Sequence, residues 1–493
     1  MRRSFLLVVF AVMSIGMVVG QTMNVNLGDV TYAIGASQAG DMVFDNGKTL
    51  TIAGKTYQLS EVTSINVNET TVDDNTVAVN YNGNVAKVLI AGNLAPYITA
   101  KVNGAHVYII ADTSLEKEVI YTLSGSSNNG SFYMDGSYAI GLTFNGLTLN
   151  NPDSAAVNIQ DGKLITITLA DGTSNSLSDG LTNVTDNGSD GHKAAFYVDG
   201  HTSWKGGGSL TLAGRVKHAY SSDEYTLLNP GLGVISVTEA KGDGFHISQY
   251  FRMNGGTVNI VATGDGIDVE KKKTDKTDNG MMILEDGNLT VSTSGVATKA
   301  LKCESDMSVS GGTISATTTG SAEYDATEAD LSSCAAAKCG GTFQMTGGTL
   351  SLVSTGAGGK GLNATGAVTV SGGTLTSVTT GKTFTYGALD TKPQGIKSDA
   401  NITLSGGTIL SCASEDKGTA FKTDYYVLTN GATLMGIGGK ATTPSNTSTK
   451  GNKKYTGVAV TGGQTLSYDG VTFTIPSIYS NSSAKVLVSS PAM

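Results

Sequence analysis

The feature that most restricts this chain is a phrase that it repeats. "KALKCESDMSVSGGTI" (299–314), "KGLNATGAVTVSGGTL" (360–375) and "QGIKSDANITLSGGTI" (394–409) share an apolar alternation that closes on Gly-Gly-Thr. Units of this form begin at Ala194, His218, Asp243, Asp265, Lys299, Ala335, Lys360, Gln394 and Thr419, with a looser copy at Ala155. From Ala194 the steps are 24, 25, 22, 34, 36, 25, 34 and 25 residues. A rung this short cannot bury its own apolar row, so it must borrow the rungs above and below. Two or three short strands with glycine corners in 22 to 25 residues predict one coil of a parallel β-helix. The longer steps predict inserted loops at 271–280, 315–334 and 380–394.

Composition agrees with strands and tight turns. Glycine fills 65 of 493 positions, roughly double the usual share of about 7%. Cys303, Cys334, Cys339 and Cys412 are too few to brace a chain of this size, so the core must be hydrophobic. Cys303 and Cys339 fall at the same place in successive units, which predicts a buried thiol ladder rather than a bridge.

Residues 1–20, with two arginines ahead of a short apolar core ending in Val-Val-Gly, predict a signal peptide and hence an exported protein, secreted, periplasmic or at the cell surface. No second apolar run follows, so no membrane span is expected. The remaining boundaries are an N-terminal β-hairpin module at 21–71, the repeat domain at 72–440, a polar linker at 441–455 and a C-terminal β segment at 456–493. Without Arg2 and Arg3 the count is 30 basic against 41 acidic residues, a net charge of −11. That balance argues against nucleic acid as a partner.

Numbering each unit from its first residue, slots three and five are apolar and point inward, which sends slots four and six outward. Slot four carries Ser221, His246, Asp268, Lys302, Asn363, Lys397 and Lys422. Slot six carries Asp199, Asp223, Glu270, Glu304, Asp399 and Asp424, interrupted by Ser248, Gly340 and Thr365. A lysine-rich column beside a carboxylate column, with rungs about 4.8 Å apart, suits a polymer with a repeating charge. The substrate-binding residues expected from this face are His246, Tyr250, Lys302, Asn363, Lys397, Asp399, Lys422 and Asp424. Tyr225, Tyr250 and Tyr426 share slot eight and could stack on sugar rings.

Acidic density peaks in "GDGIDVE" (264–270). There Asp265, Asp268 and Glu270, with Asp243 one rung before and Glu304 one rung after, form the expected metal set, and hard oxygen ligands point to calcium. The alternative for all these charges is a solvated ladder of lysine–carboxylate pairs that keeps the sheet soluble.

These phrases, together with "ITITLADGTSNSLSDG" (165–180), resemble the right-handed parallel β-helix carbohydrate-binding family of clostridia and Bacteroidetes, pectate-lyase-like in shape, over about 72–440. The resemblance implies binding of polygalacturonate and cellulose, with calcium on the repeat domain. The fold expected is therefore all-β: a right-handed parallel β-helix solenoid with a small N-terminal β module and a short C-terminal β tail. Motifs of metalloproteases, serine hydrolases and phosphate loops are absent, and no catalytic residue is assigned. The function expected is a non-catalytic, calcium-assisted binder of acidic polysaccharide. The competing readings are a calcium-dependent polysaccharide lyase with Arg252 or Lys302 as base, and a structural or adhesive surface protein.

Overall fold

The computed structural model describes residues 20–39, 42–180, 194–272, 276–445 and 447–493. The expected signal peptide lies, but for Gly20, outside the described residues. The described residues are all-β apart from one turn of 3-10 helix at Gly92–Leu94. Among the described residues no helix is long and apolar enough to cross a membrane. The chain divides into two compact units, Met1–Thr182 with Phe196–Leu210, and Asn183–Ala195 with Thr211–Met493.

In the first unit, Thr22–Leu27 pairs antiparallel with both Val30–Gly35 and Ser64–Asn68. Val30–Gly35 then runs parallel to Val85–Ala91. Ala105–Ala111 is flanked by Ile98–Asn103, antiparallel, and Gly130–Asp135, parallel. Alternating apolar residues such as Val107, Ile109, Phe132 and Met134 face inward and are fully buried, as the period-two geometry of a strand requires.

In the second unit eight short strands lie side by side, all parallel: His218–Ser222, Phe245–Ile247, Ile267–Val269, Lys299–Cys303, Ala335–Cys339, Lys360–Ala364, Gln394–Ser398 and Thr419–Lys422. Their register places Tyr220, Phe245, Ile267, Leu301, Ala337, Leu362, Ile396 and Phe421 in one buried column. Cys303 and Cys339 are in register in the next inward column, buried and unbridged. Further buried columns come from the other strands of each rung, among them Met253, Leu284, Val309, Met345, Val370 and Leu404. Each large aliphatic side chain so buried contributes about 1.5–3 kcal/mol relative to exposure, so one polar substitution in a column would be felt by three rungs.

The Gly-Gly-Thr corner has a steric cause. A Cβ on Gly347 would lie 2.3 Å from the Ser310 carbonyl oxygen of the preceding rung, and Gly348 sits at φ +74°. Gly372 is as tightly placed, 2.2 Å from the Thr346 carbonyl oxygen. Successive corners nest too closely for any side chain.

These pairings correct the expectation of a right-handed parallel β-helix solenoid with separate modules at its ends. Both termini are woven into mixed sheet. The N-terminal strands combine antiparallel and parallel neighbours, as above, and at the other end Asn481–Ser489 pairs antiparallel with Thr433–Gly438 and Asn452–Val460. Val460, Val471, Ile475, Tyr479, Val486 and Val488 pack there into one cluster with Met435 and Ile437. Nor do strands stop at every corner, since Tyr250–Ala262 and Met281–Thr293 run through bulged turns as single strands of 13 residues. The physical reason is that a repeat reports only its interior rungs. Terminal rungs expose strand edges that must be covered, and nearby antiparallel strands cover them here.

Candidate functional site

The outward column of the eight-stranded sheet is continuous. Ser221, His246, Asp268, Lys302, Lys338, Asn363, Lys397 and Lys422 are successive register partners. Lys338 is a residue that the slot reading passed over. It occupies slot four between Lys302 and Asn363, in a rung otherwise made of alanine and cysteine.

One end of the column is a cluster of imidazoles and carboxylates. His218 and His246 stack face to face, with ring centres 4.4 Å apart and an interplanar angle of 14°. The Asp243 N–H donates to His218 Nδ1 at 3.0 Å. Burial pushes the His218 ring below its ordinary range, and the neutral ring offers that lone pair. His246 Nδ1 lies 3.1 Å from Asp243 Oδ2; a carboxylate can only accept, so this nitrogen is the donor. Although burial opposes it, Asp243, Glu270 and Asp268 hold His246 above the usual imidazole range. Asp243 Oδ1 also accepts the Asp265 N–H at 2.8 Å.

Lys302 closes this cluster. Its Nζ lies 2.7 Å from Asp268 Oδ2 and 3.3 Å from Asp265 Oδ2, and these anions keep it charged despite burial. Asp268 is 4% exposed, and its Oδ1 is buried with no hydrogen-bond partner. Burial, countered by Lys302 and reinforced by Asp265 and Asp243, pushes this carboxyl up to about 6.

The five carboxylates of the expected calcium set do not gather in one cage. The Asp243 carboxylate is taken up by His246 and the Asp265 N–H, Asp265 and Asp268 share Lys302, and Glu304 accepts the Lys271 N–H at 2.8 Å. The donor groups that do converge are His246, Asp268 and Glu270, and His218, Asp243 and His246. An imidazole in each set does not fit the six to eight oxygen ligands that calcium takes.

The other end of the column floors a groove of about 620 Å³, where Lys338, Asn363, Lys397 and Lys422 lie. Its walls come from two inserted hairpins. Glu323–Asp325 pairs with Asp330–Ser332, and Phe384–Tyr386 pairs with Leu389–Thr391. Tyr324 and Tyr386 stack at 4.3 Å and join the two hairpins, while Ser333 Oγ and Thr391 Oγ1 lie 3.0 Å apart at their base. Lys397 pairs with Asp399 at 2.6 Å, and Lys422 pairs with Asp424. Among the described residues Lys338 has no such partner. Lys360 is buried under the wall, donating to Gly358 O at 3.0 Å, Thr391 Oγ1 at 2.8 Å and Lys392 O. Burial first, then Lys397 and Lys392, pushes it down to about 7.

The sites expected from sequence thus fall into two groups. His246 and Lys302 join the acidic end, whereas Asn363, Lys397 and Lys422 join the groove, with Asp399 and Asp424 as partners of its lysines. Tyr250 stacks on Tyr225 at 4.7 Å, away from the groove lining. Arg252 lies 3.9 Å from both Asp278 and Glu285. Missed as site residues were His218, Lys338 and Lys360; the loops expected at 315–334 and 380–394 are present, but their hairpin form and their place beside the lysines were not foreseen. A complete slot count would have found Lys338, and slot one would have flagged the other two; the lengthened steps of 36 and 34 residues marked the walls as insertions but not as hairpins.

A model of the family described as "Carbohydrate-binding domain-containing protein" matches residues 103–383. None of the curated proteins matches. Among solved structures, the chain is similar to a polysaccharide lyase-like protein from C. thermocellum, determined as a gadolinium derivative. The identity is 19% and the TM-score 0.41, over 55% of this chain and 96% of that chain. With more than half of its length matched by the family, the chain belongs to the carbohydrate-binding domain-containing proteins.

Proposed function

We propose that this protein is exported and holds an acidic polysaccharide, of the polygalacturonate type, in the lysine-floored groove without cleaving it. The observation that supports this most is the in-register run Lys338–Asn363–Lys397–Lys422 beneath the two hairpins. Cations repeated at about 4.8 Å per rung offer a chain of uronate carboxylates several contacts at once, and contacts that are weak singly become strong when linked. Lys338 has no protein carboxylate to give up. Lys397 and Lys422 must exchange theirs, and such exposed pairs are worth only about 0–1 kcal/mol. The protein is net acidic and the groove walls carry Asp325, Glu328, Asp330 and Asp390, so a polyanion would have to lie along the lysine floor and away from those walls.

The test is calorimetric titration of the full chain with polygalacturonate, against a variant carrying Lys338→Gln, Lys397→Gln and Lys422→Gln. A loss of at least tenfold at low salt, shrinking as salt screens the contacts, is expected, with binding to neutral cellulose unchanged. Full uronate affinity in the triple variant would place the glycan on another face.

A second reading rests on Lys360. An amine pushed down to about 7 beside this groove becomes a candidate base for β-elimination of a uronate on giving up one of its three donated hydrogen bonds. Neither earlier nominee serves as well, since Lys302 is held charged by its two aspartates and Arg252 lies between two acids. Ultraviolet-absorbing unsaturated product from polygalacturonate, abolished by Lys360→Met, would establish the lyase.

A further inference from the structure

We propose that His246, Asp268 and Glu270 form a site for one divalent ion of the zinc class, separate from the glycan groove and independent of it. The tautomer of His246 is the starting point. Its Nδ1–H is committed to Asp243 Oδ2 at 3.1 Å, so Nε2 is the ring atom that a metal would take, displacing the proton that the nearby carboxylates favour there. Nε2 faces Glu270 Oε2 at 3.9 Å, too far for a hydrogen bond and within the span of two ligands on one metal with bonds of about 2.0–2.2 Å. Ligand atoms, one each from His246, Asp268 and Glu270, lie within 4.8 Å of one another.

The second, independent observation is the orphaned oxygen. Lys302 takes Asp268 Oδ2, but Oδ1 is buried with no partner. Leaving a buried acceptor unmade is costly, and a metal ion would satisfy it. Charge points the same way, since Asp265 and Asp268 lie against the Lys302 ammonium while Asp243 and Glu270 flank His246.

The neighbouring set of His218, Asp243 and His246 is its support and not a second site. There Asp243 spends Oδ2 on His246 and Oδ1 on the Asp265 N–H, and His218 Nδ1 takes the Asp243 N–H. A carboxylate that orients a histidine so that its far nitrogen meets the metal is the usual outer shell of such sites. Stacking of His218 on His246 fixes the ring plane. One imidazole and two carboxylates, with water completing the shell, suit zinc.

The experiment is calorimetric titration of chelator-treated full-length protein, without glycan, using zinc chloride and calcium chloride in separate runs. One equivalent of zinc, bound at least tenfold more tightly than calcium, is expected from the native chain. His246→Gln should lose zinc at least tenfold, and His246→Asp, which makes the set all-oxygen, should move the preference toward calcium. Cobalt(II) in place of zinc should give visible bands that His246→Gln abolishes, with circular dichroism confirming that the variant is folded. Calcium binding as tightly as zinc, or His246→Gln binding zinc like the native chain, would overturn the proposal. Because no glycan is present, these outcomes are read separately from the polygalacturonate titration.

Discussion

The two ends of the outward column occupy equivalent positions on equivalent strands and have opposite chemistry. At one end His246, Asp268 and Lys302 are partly or fully buried and locked to neighbours on adjoining rungs. At the other, Lys397 and Lys422 pair only with acids two residues along their own strands, and Lys338 pairs with nothing among the described residues. Cross-rung pairs knit strands together, whereas pairs within a strand leave the face available to a ligand. The inward slots hold the fold at both ends, so the outward slots are free to diverge.

The largest difference should appear in stability. Lys302→Gln strips two enclosed aspartates of their cation, and breaking a buried pair costs about 3–5 kcal/mol. Lys397→Gln breaks an exposed one, for which about 0–1 kcal/mol is expected. Denaturant midpoints of the two variants measure the contrast, and equal midpoints would show that the acidic end is no more buried than the groove.

pH should separate the ends by sign. Asp268, pushed up to about 6 in the folded chain from about 3.9 unfolded, binds more proton in the native state between those values. Stability from this group therefore falls as pH rises from about 4 to 6, and Asp268→Asn should remove the fall. Lys360 does the reverse. Lowered to about 7 from about 10.4 unfolded, it leaves the unfolded chain holding more proton, so stability rises from about pH 7 to 10. Lys360→Met should flatten that rise. Urea unfolding in chelator across both windows tests the pair, and slopes of the same sign would refute the contrast.

The smallest effect expected is in the wall. Tyr386→Ala removes the stack with Tyr324, about 0.5–1.5 kcal/mol of local order, and should weaken uronate binding a few-fold while leaving the unfolding midpoint within about 0.5 kcal/mol. A large loss of stability instead would mean that the hairpins brace the fold.

What could be read from sequence follows from this division. Ile267, Leu301, Leu362 and Ile396 had to share a column because only stacking buries them, and the register places them together. The outward slots followed by alternation. Lys338 was hidden in an alanine-rich rung, and His218 and Lys360 stood in slot one, to which the repeat assigned no role. Asp325 and Tyr386 belong to insertions that obey no period, so nothing in the repeat could say that they rise beside the lysines. The terminal strands escaped for a related reason, since covering an edge is a task that no interior rung performs.

The nested glycine corner, finally, governs how such a protein can change. With a carbonyl oxygen 2.2–2.3 Å from where a Cβ would stand on Gly347 and Gly372, those corners leave no room for a side chain. Both wall hairpins enter elsewhere, after the strands Thr313–Thr318 and Thr374–Thr379 and just ahead of Ala335–Cys339 and Gln394–Ser398. These two insertions border the groove, whereas the third, at 271–280, enters at another corner, between Ile267–Val269 and Met281–Thr293. Ligand preference can drift by lengthening or exchanging hairpins while the apolar columns keep their register, which makes recognition and folding separately heritable traits of one sequence.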